Sequence, residues 1–300
     1  MSTQCMIPFK LKDADALVPC GKCHNCKRRL ASSWSLRVVE ESKLAHSAVF
    51  LTLTYNNDHL PISKLGYQTL VKKDLQDFFK RLRKAHKADH KTLRYFAVGE
   101  YGGITKRPHY HIILFNANYL LVESAWSFQH IEHQPKYHNK TGRLLKSTTK
   151  VKTLKEIGYV HYGFDVHEEA AGYTVKYISK TCYIGKNQKI DDRQPNFRLM
   201  SKGIGKNYIT EKMTAWHKNN PTERVYVPLK GGKKAPMPRY YKDKIFNESE
   251  KEKIAQHFQN NASISLQKEI EEHGFNHSSF KKQQYLDGNR KMLLNKNNKI

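Results

Sequence analysis

Along the 300-residue chain, apolar positions recur with the period of a strand in some stretches and of a helix in others. Ala48-Val49-Phe50-Leu51-Thr52-Leu53-Thr54-Tyr55 is a run of β-branched and aromatic residues, which predicts a buried strand closed by the polar turn Asn56-Asn57-Asp58. Leu75, Phe78, Phe79 and Leu82 fall at helical spacing and predict an amphipathic helix over about 71–88. Leu30, Trp34 and Val38 form a similar stripe over 27–45. Residues 93–100 and 109–115 read as the two strands of a hairpin, joined by the turn-rich Gly102-Gly103-Ile104-Thr105-Lys106-Arg107-Pro108. A further strand is expected over 158–163. Asp165 with Glu168 fits an N-cap and an acidic N3 residue opening a helix through about Ile178.

Elsewhere the pattern weakens. Residues 117–152 are mixed and basic and show no period, and after Cys182 the chain turns polar and Gly-punctuated. From Phe246 onward Lys, Asn, Gln and Glu dominate. Only Ile254, Phe258, Ile264, Leu266 and Ile270 interrupt them, which predicts one or two peripheral helices and a loose end over 281–300. There is no internal repeat and no G-x-x-x-x-G-K-[ST] phosphate loop, so no ATPase motor is encoded. These elements predict an α+β chain in three parts: a Cys-rich N-terminal segment and helix (1–46), a catalytic domain (47–210) and a basic C-terminal extension (211–300).

Charge narrows the picture. The net charge of +26 and the pI near 9.8 point to a polyanionic partner, and nucleic acid is the usual one. With 38% hydrophobic residues a core can form, so wholesale disorder is excluded. A mean hydropathy of −0.75, and the lack of any apolar run of about twenty residues, exclude a membrane-spanning helix. The start, Met1-Ser2-Thr3-Gln4-Cys5, has no signal-peptide pattern. The five cysteines are therefore expected in a reducing interior, without disulfides.

Candidate chemistry begins with His109-Tyr110-His111. Two histidines one residue apart on a strand point to one face. If Tyr101 pairs with Pro108 across the turn, Glu100 sits opposite His109 on that face. Two imidazoles and a carboxylate can hold a divalent ion such as Mg²⁺ or Mn²⁺ with positions open to a substrate. An exposed strand face with alternating polar residues would read the same way. In Tyr173-Thr174-Val175-Lys176-Tyr177 the two tyrosines lie one helical turn apart, beside Lys176 and in row with Lys180. They fit paired nucleophiles, and equally two half-buried core tyrosines. A phenol with a pKa near 10 is ionised in roughly one molecule in a thousand at pH 7, a deficit of about 4 kcal/mol. A metal gripping the scissile phosphate offsets that deficit, and the product is a phosphotyrosine ester that conserves bond energy for rejoining.

Cys20-x-x-Cys23-x-x-Cys26 is tighter than two ordinary zinc knuckles, and Cys5 can complete four thiolates around a structural Zn²⁺. His24 is a competing ligand, and three reduced cysteines at a packed turn is the plain alternative. Cys182 has no assigned role. The outer face of helix 71–88, with Lys72, Lys73, Lys80, Arg81, Arg83 and Lys84, is a candidate DNA-backbone contact or a solvated surface. The same holds for Arg107 and for Lys230-Gly231-Gly232-Lys233-Lys234.

His109-Tyr110-His111, preceded by Glu100-Tyr101-Gly102 and Arg107-Pro108 and followed by Tyr173-x-x-Lys176-Tyr177-x-x-Lys180, resembles the HUH endonucleases. Within them the chain is similar to the replication initiators of gokushovirus-like microviruses, small tailless phages with circular single-stranded DNA. Cys5, Pro19-Cys20-Gly21-x-Cys23-x-x-Cys26, the strand Phe50-Leu51-Thr52-Leu53-Thr54-Tyr55, and Phe197-Arg198-x-Met200-Ser201 with Gly203-Ile204-Gly205 extend the resemblance over about 5–208. The resemblance implies a central antiparallel sheet with flanking helices. It also implies a metal-dependent DNA endonuclease and strand transferase that nicks the phage origin, stays on the 5′ end through tyrosine and later circularises the strand. His109 and His111 match the metal ligands, with Glu100 a third by analogy. Tyr173 and Tyr177 match the nucleophiles. The implied partners are single-stranded and origin DNA, a host helicase and a host DNA polymerase, in the cytoplasm of the bacterial host. A basic DNA-binding protein with a structural zinc but no chemistry, and an HUH transposase or plasmid initiator, are the alternatives.

Overall fold

The computed structural model describes residues 5–10, 17–86, 92–163 and 190–297. The expected helix carrying Tyr173, Lys176, Tyr177 and Lys180 lies outside the described residues, as does Cys182. The chain forms two compact units, Ser42–Ile204 and Met1–Glu41 with Gly205–Ile300. The cysteine segment and the polar tail, far apart in sequence, thus belong to one unit.

In chain order, Phe9–Lys10 (β1) pairs antiparallel with Leu17–Val18 (β2), and α1 follows over His24–Leu44. Then come Ala48–Thr54 (β3), Lys72–Ala85 (α2), Arg94–Tyr101 (β4), Pro108–Phe115 (β5) and the single turn Val122–Ala125 (α3). Ser127–Tyr137 (β6), Leu144–Glu156 (β7), Val160–Tyr162 (β8) and Phe197–Met200 (β9) complete the larger unit. Its central sheet is antiparallel throughout, in the order β8-β3-β5-β4-β9. The fold is α+β, with the sheet at the centre as the resemblance implied.

Alternation sorts the strands into two faces. Leu51, Leu53, Ala97, Tyr110, Ile112 and Leu114 join the α2 residues Leu75, Phe78, Phe79 and Leu82 in one buried cluster around Trp126. By the same alternation Phe96, Val98, Ile113 and Phe115 face the other way, and they are buried too. The sheet therefore has no solvated face, which is why β5 reads as a nearly continuous apolar run.

No side chain of its own caps α2: its N-cap, Val71, is apolar. The sheet supplies what is missing. The Tyr110 hydroxyl accepts from Val71 N–H at 3.0 Å, and the Tyr101 hydroxyl accepts from Leu70 N–H at 3.0 Å. Gln194 Oε1 accepts from Lys72 N–H at 3.1 Å. Tyr55 donates to Asp74 of the first turn at 2.8 Å and shares a 2.6 Å hydrogen bond with Tyr110. Tyrosine hydroxyls rooted in the sheet thus fix where the helix starts.

Residues 117–152, which show no period, contain most of the β6–β7 hairpin. This ribbon is a sheet of its own, and its side chains from 135 to 144 are all exposed. A ribbon without a buried face leaves no alternation to read.

In the second unit, Glu211–Asn219 (α4), the pair Tyr226–Pro228 (β10) and Lys234–Pro236 (β11), and Arg239–Ile245 (α5) enclose a cluster of Tyr208, Val225, Val227, Met237, Tyr241, Ile245 and Phe246. Gly205, at φ +72°, lies against α1, where a Cβ would press on the Arg37 backbone; its N–H donates to Glu41 at 2.7 Å. The tail is two long helices, Glu248–His273 (α6) and His277–Asn297 (α7). Asn247 and Glu250 form a capping box at the start of α6. The loose end expected from residue 281 is instead helical to Asn297, since its Lys, Gln and Leu residues favour helix even without a core face.

Replacing Tyr110 with Phe is expected to lower stability by about 1–3 kcal/mol, because Val71 N–H loses its acceptor. The readout is a lower urea midpoint at unchanged slope. His217 is fully buried and satisfied as neutral imidazole: Tyr208 O–H donates to Nε2 at 2.9 Å, and Nδ1–H donates to Arg224 O at 2.6 Å. Burial, with the Arg224 charge, pulls its pKa below the ordinary 6.5 against the opposing carbonyl hydrogen bond. The unfolded chain therefore takes up the proton first. Stability is full above pH 6.5 and is lost as pH falls toward the depressed value. Melting from pH 7 down to about pH 5 should show a steeper loss for the native chain than for His217→Gln.

Candidate metal centre

The β4–β5 hairpin pairs Tyr101 with Pro108 and Glu100 with His109, the register expected from the sequence. Gly102 N–H closes the turn on Arg107 O at 3.0 Å. Glu100, His109 and His111 consequently share one sheet face, opposite the α2 side. Glu100 and His111 are buried and His109 is half-buried, so this is not an exposed strand face with polar residues alternating outward.

Glu100 Oε1 lies 3.2 Å from Nε2 of His109 and 3.2 Å from Nε2 of His111. One donor atom from each residue lies within 4.8 Å of the others. The far nitrogens are also engaged. His109 Nδ1 lies 3.1 Å from Arg107 O, an acceptor only, so the proton sits on Nδ1 and the Nε2 lone pair faces Glu100. His111 Nδ1 is 2.9 Å from the Thr52 hydroxyl, and Phe50 stacks on the ring at 5.6 Å between centroids. A lone pair facing a carboxylate oxygen at 3.2 Å needs a proton or a cation between them. Glu100 Oε2 is buried and has no hydrogen-bond partner among the described residues, so the carboxylate has coordinating capacity to spare.

The donor set fits a divalent cation: two imidazoles, one carboxylate, and a backbone carbonyl fixing a tautomer as metal-bound histidines commonly require. Burial raises the Glu100 pKa, but hydrogen bonds from both histidines and their charge together outweigh it. The carboxyl is held below its ordinary range. It is an anion at neutral pH, as a ligand must be.

The structure places the basic candidates unevenly. Lys80 pairs with Asp77 at 3.1 Å, and Arg83 lies 5.1 Å from the centre of the Tyr95 ring. Lys84 is exposed. Arg81 turns inward, its Nε–H donating to Ala125 O at 2.9 Å. Arg107 straps the turn to the loop after β3, donating to Tyr55 O at 2.7 Å and to Asn57 Oδ1 at 3.0 Å. The run 230–234 is the β10–β11 turn, with Lys234 over the Tyr226 ring. Cys5, Cys20, Cys23 and Cys26 gather in a second cluster, in the smaller unit. Thr52 and the Arg107 carbonyl, which orient the imidazoles, were missed by sequence reasoning. Strand alternation would put Thr52 on the histidine face, but its partner depends on which strands are neighbours.

Residues 48–182 match the family model for the phage replication-associated protein ORF2. The chain is 30% identical over 230 residues to the replication-associated protein VP4 of Bdellovibrio phage phiMH2K, and 32% identical over 227 residues to the replication-associated protein ORF2 of Spiroplasma virus 4. Each match covers 75% of this chain and 66% of the relative, so the chain spans slightly under two thirds of their length. The replication-associated protein ORF4 of Chlamydia phage 1 is 27% identical over 235 residues, with 75% of this chain and 53% of that protein covered. No solved structure matches the chain.

Thr52→Val is expected to weaken Mn²⁺ binding by about 10–100-fold, the usual cost of losing a group that orients a ligand. Titration calorimetry measures it, with the native melting temperature as the control for folding.

Proposed function

Because the chain belongs to the replication-associated proteins of phages, we propose that it initiates rolling-circle replication by nicking one DNA strand through a tyrosine and later rejoining it. The observation that supports this reading most is the convergence of Glu100, His109 and His111 at 3.2 Å on a buried sheet face. The net charge of +26 supports it in turn, giving tight, salt-dependent contact with the DNA backbone.

In this reading Glu100 Oε1 and the two Nε2 atoms hold Mg²⁺ or Mn²⁺ beside the scissile phosphate. The bound cation draws charge from the phosphate and so offsets the cost of ionising a phenol. Tyr173 or Tyr177 attacks phosphorus. Its Oη–P bond forms, the P–O3′ bond breaks, the phenol proton leaves to solvent and a free 3′-hydroxyl departs. The chain then carries the 5′ end as a phosphotyrosyl ester, whose energy the second tyrosine can use to join the ends after a round of synthesis. Lys176 and Lys180, on the same helical row as the tyrosines, steady the phosphate or the phenolate. With no phosphate loop in the sequence, strand separation falls to a host helicase and synthesis to a host polymerase, inside the bacterial cell. No helix among the described residues is long and apolar enough to cross a membrane.

Incubation with Mn²⁺ and labelled single-stranded DNA tiled across the phage genome is expected to give a covalent protein–DNA band on denaturing gels from one tile. The Tyr173→Phe/Tyr177→Phe double variant should bind DNA as the native chain does and give no such band. Intact DNA binding with no band on any tile would leave a basic DNA-binding protein without chemistry.

A further inference from the structure

The second cluster lies apart from this chemistry. Cys5, Cys20, Cys23 and Cys26 hold four sulfur atoms within 4.8 Å of one another. All four are free thiols, and the Sγ atoms of Cys5 and Cys23 are 3.9 Å apart, against about 2.05 Å in a disulfide. Backbone donors are aimed at the sulfurs. Cys20 N–H points to Cys5 Sγ at 3.2 Å, and Lys22 N–H and Cys23 N–H point to Cys20 Sγ at 3.4 and 3.3 Å. A neutral thiol is a weak acceptor and a thiolate a good one, so these donors favour the form that binds metal. The turn that aims them needs Gly21, at φ +70°.

Spacing selects the occupant. A tetrahedral ion bound at about 2.3 Å to each sulfur sets neighbouring sulfurs about 3.8 Å apart. The 3.9 Å pair and the 4.8 Å limit on the whole set fit that figure. Cys-x-x-Cys-x-x-Cys spacing also serves iron–sulfur clusters, but a cubane puts four irons between its thiolates and holds them much further apart. His24, the competing ligand by sequence, is not in the cluster. Its ring packs on Gly288 of α7, where there is no room for a Cβ. The sequence expectation that only one Cys-x-x-Cys pair is usable without distortion therefore does not hold, because Cys26 comes back to the group in the first turn of α1.

We propose that Cys5, Cys20, Cys23 and Cys26 bind one Zn²⁺ as a tetrathiolate that fastens the segment around Cys5 to the start of α1. Four thiolates on Zn²⁺ carry a net charge of −2. The first turn of α1 has no acidic residue, so the site itself places negative charge at the positive end of the helix dipole. Lys22, Lys27, Arg28 and Arg29 add positive charge nearby in sequence. Zinc bound in this way contributes directly to folding.

The test is elemental analysis of the full chain, purified without added metal and dialysed. The expected result is one zinc per chain and no iron, unchanged in His109→Ala/His111→Ala and in His24→Ala. Exchange with Co²⁺ should give thiolate-to-metal charge transfer and tetrahedral d–d bands. Because cysteine variants can fail to fold, a mercurial titration of the native chain is the second measurement, with zinc released in step with thiol modification. Absence of zinc, an iron–sulfur chromophore, zinc that disappears with the His109/His111 pair or with His24, or zinc that stays after all thiols react would each overturn the proposal. None of these outcomes depends on whether the chain nicks DNA.

Discussion

The metal centre depends on one residue of register in the β4–β5 hairpin. With Tyr101 opposite Pro108, Glu100 faces His109 and three ligand atoms meet. A slip of one residue in β4 would turn Glu100 to the α2 side and bring Tyr101 to the metal face. Several independent contacts oppose such a slip. Gly102 N–H and Arg107 O close the turn at 3.0 Å, and Arg107 ties it to Tyr55 O at 2.7 Å. Tyr101 and Tyr110, on the opposite face, lodge their hydroxyls at the start of α2.

The two faces of the sheet are thus coupled through backbone alternation. Apolar packing and tyrosine hydroxyls on the α2 side hold the strands rigid, and the ligands on the other side inherit that rigidity. A buried carboxylate against two imidazoles, one with its lone pair toward it, is costly to leave without a cation or proton. Preorganisation of this kind lowers the reorganisation needed when a metal and a phosphate arrive.

Much of this was legible in the sequence, where burial writes a period. The strand 48–55, the α2 stripe Leu75, Phe78, Phe79, Leu82 and the hairpin with its Glu100–His109 pairing follow from alternation and turn residues. The β6–β7 ribbon did not, because it has no buried face to impose a pattern. Nor did the grouping of the cysteine segment with the tail, which depends on contacts between residues far apart in sequence, such as Gly205 N–H to Glu41. Thr52 as the partner of His111 needed the strand order, since β3 and β5 are neighbours in space but not in sequence. The cysteine spacing suggested a metal, and only the Sγ separations distinguish a single ion from a cluster.

The most direct test is anomalous diffraction from crystals of the full chain grown with Mn²⁺. The expected result is a manganese peak within bonding distance of Glu100, His109 Nε2 and His111 Nε2, with coordination positions left open toward solvent. Manganese bound elsewhere with none at these three residues, or a direct hydrogen-bonded contact of Glu100 with both imidazoles persisting at saturating Mn²⁺, would contradict it.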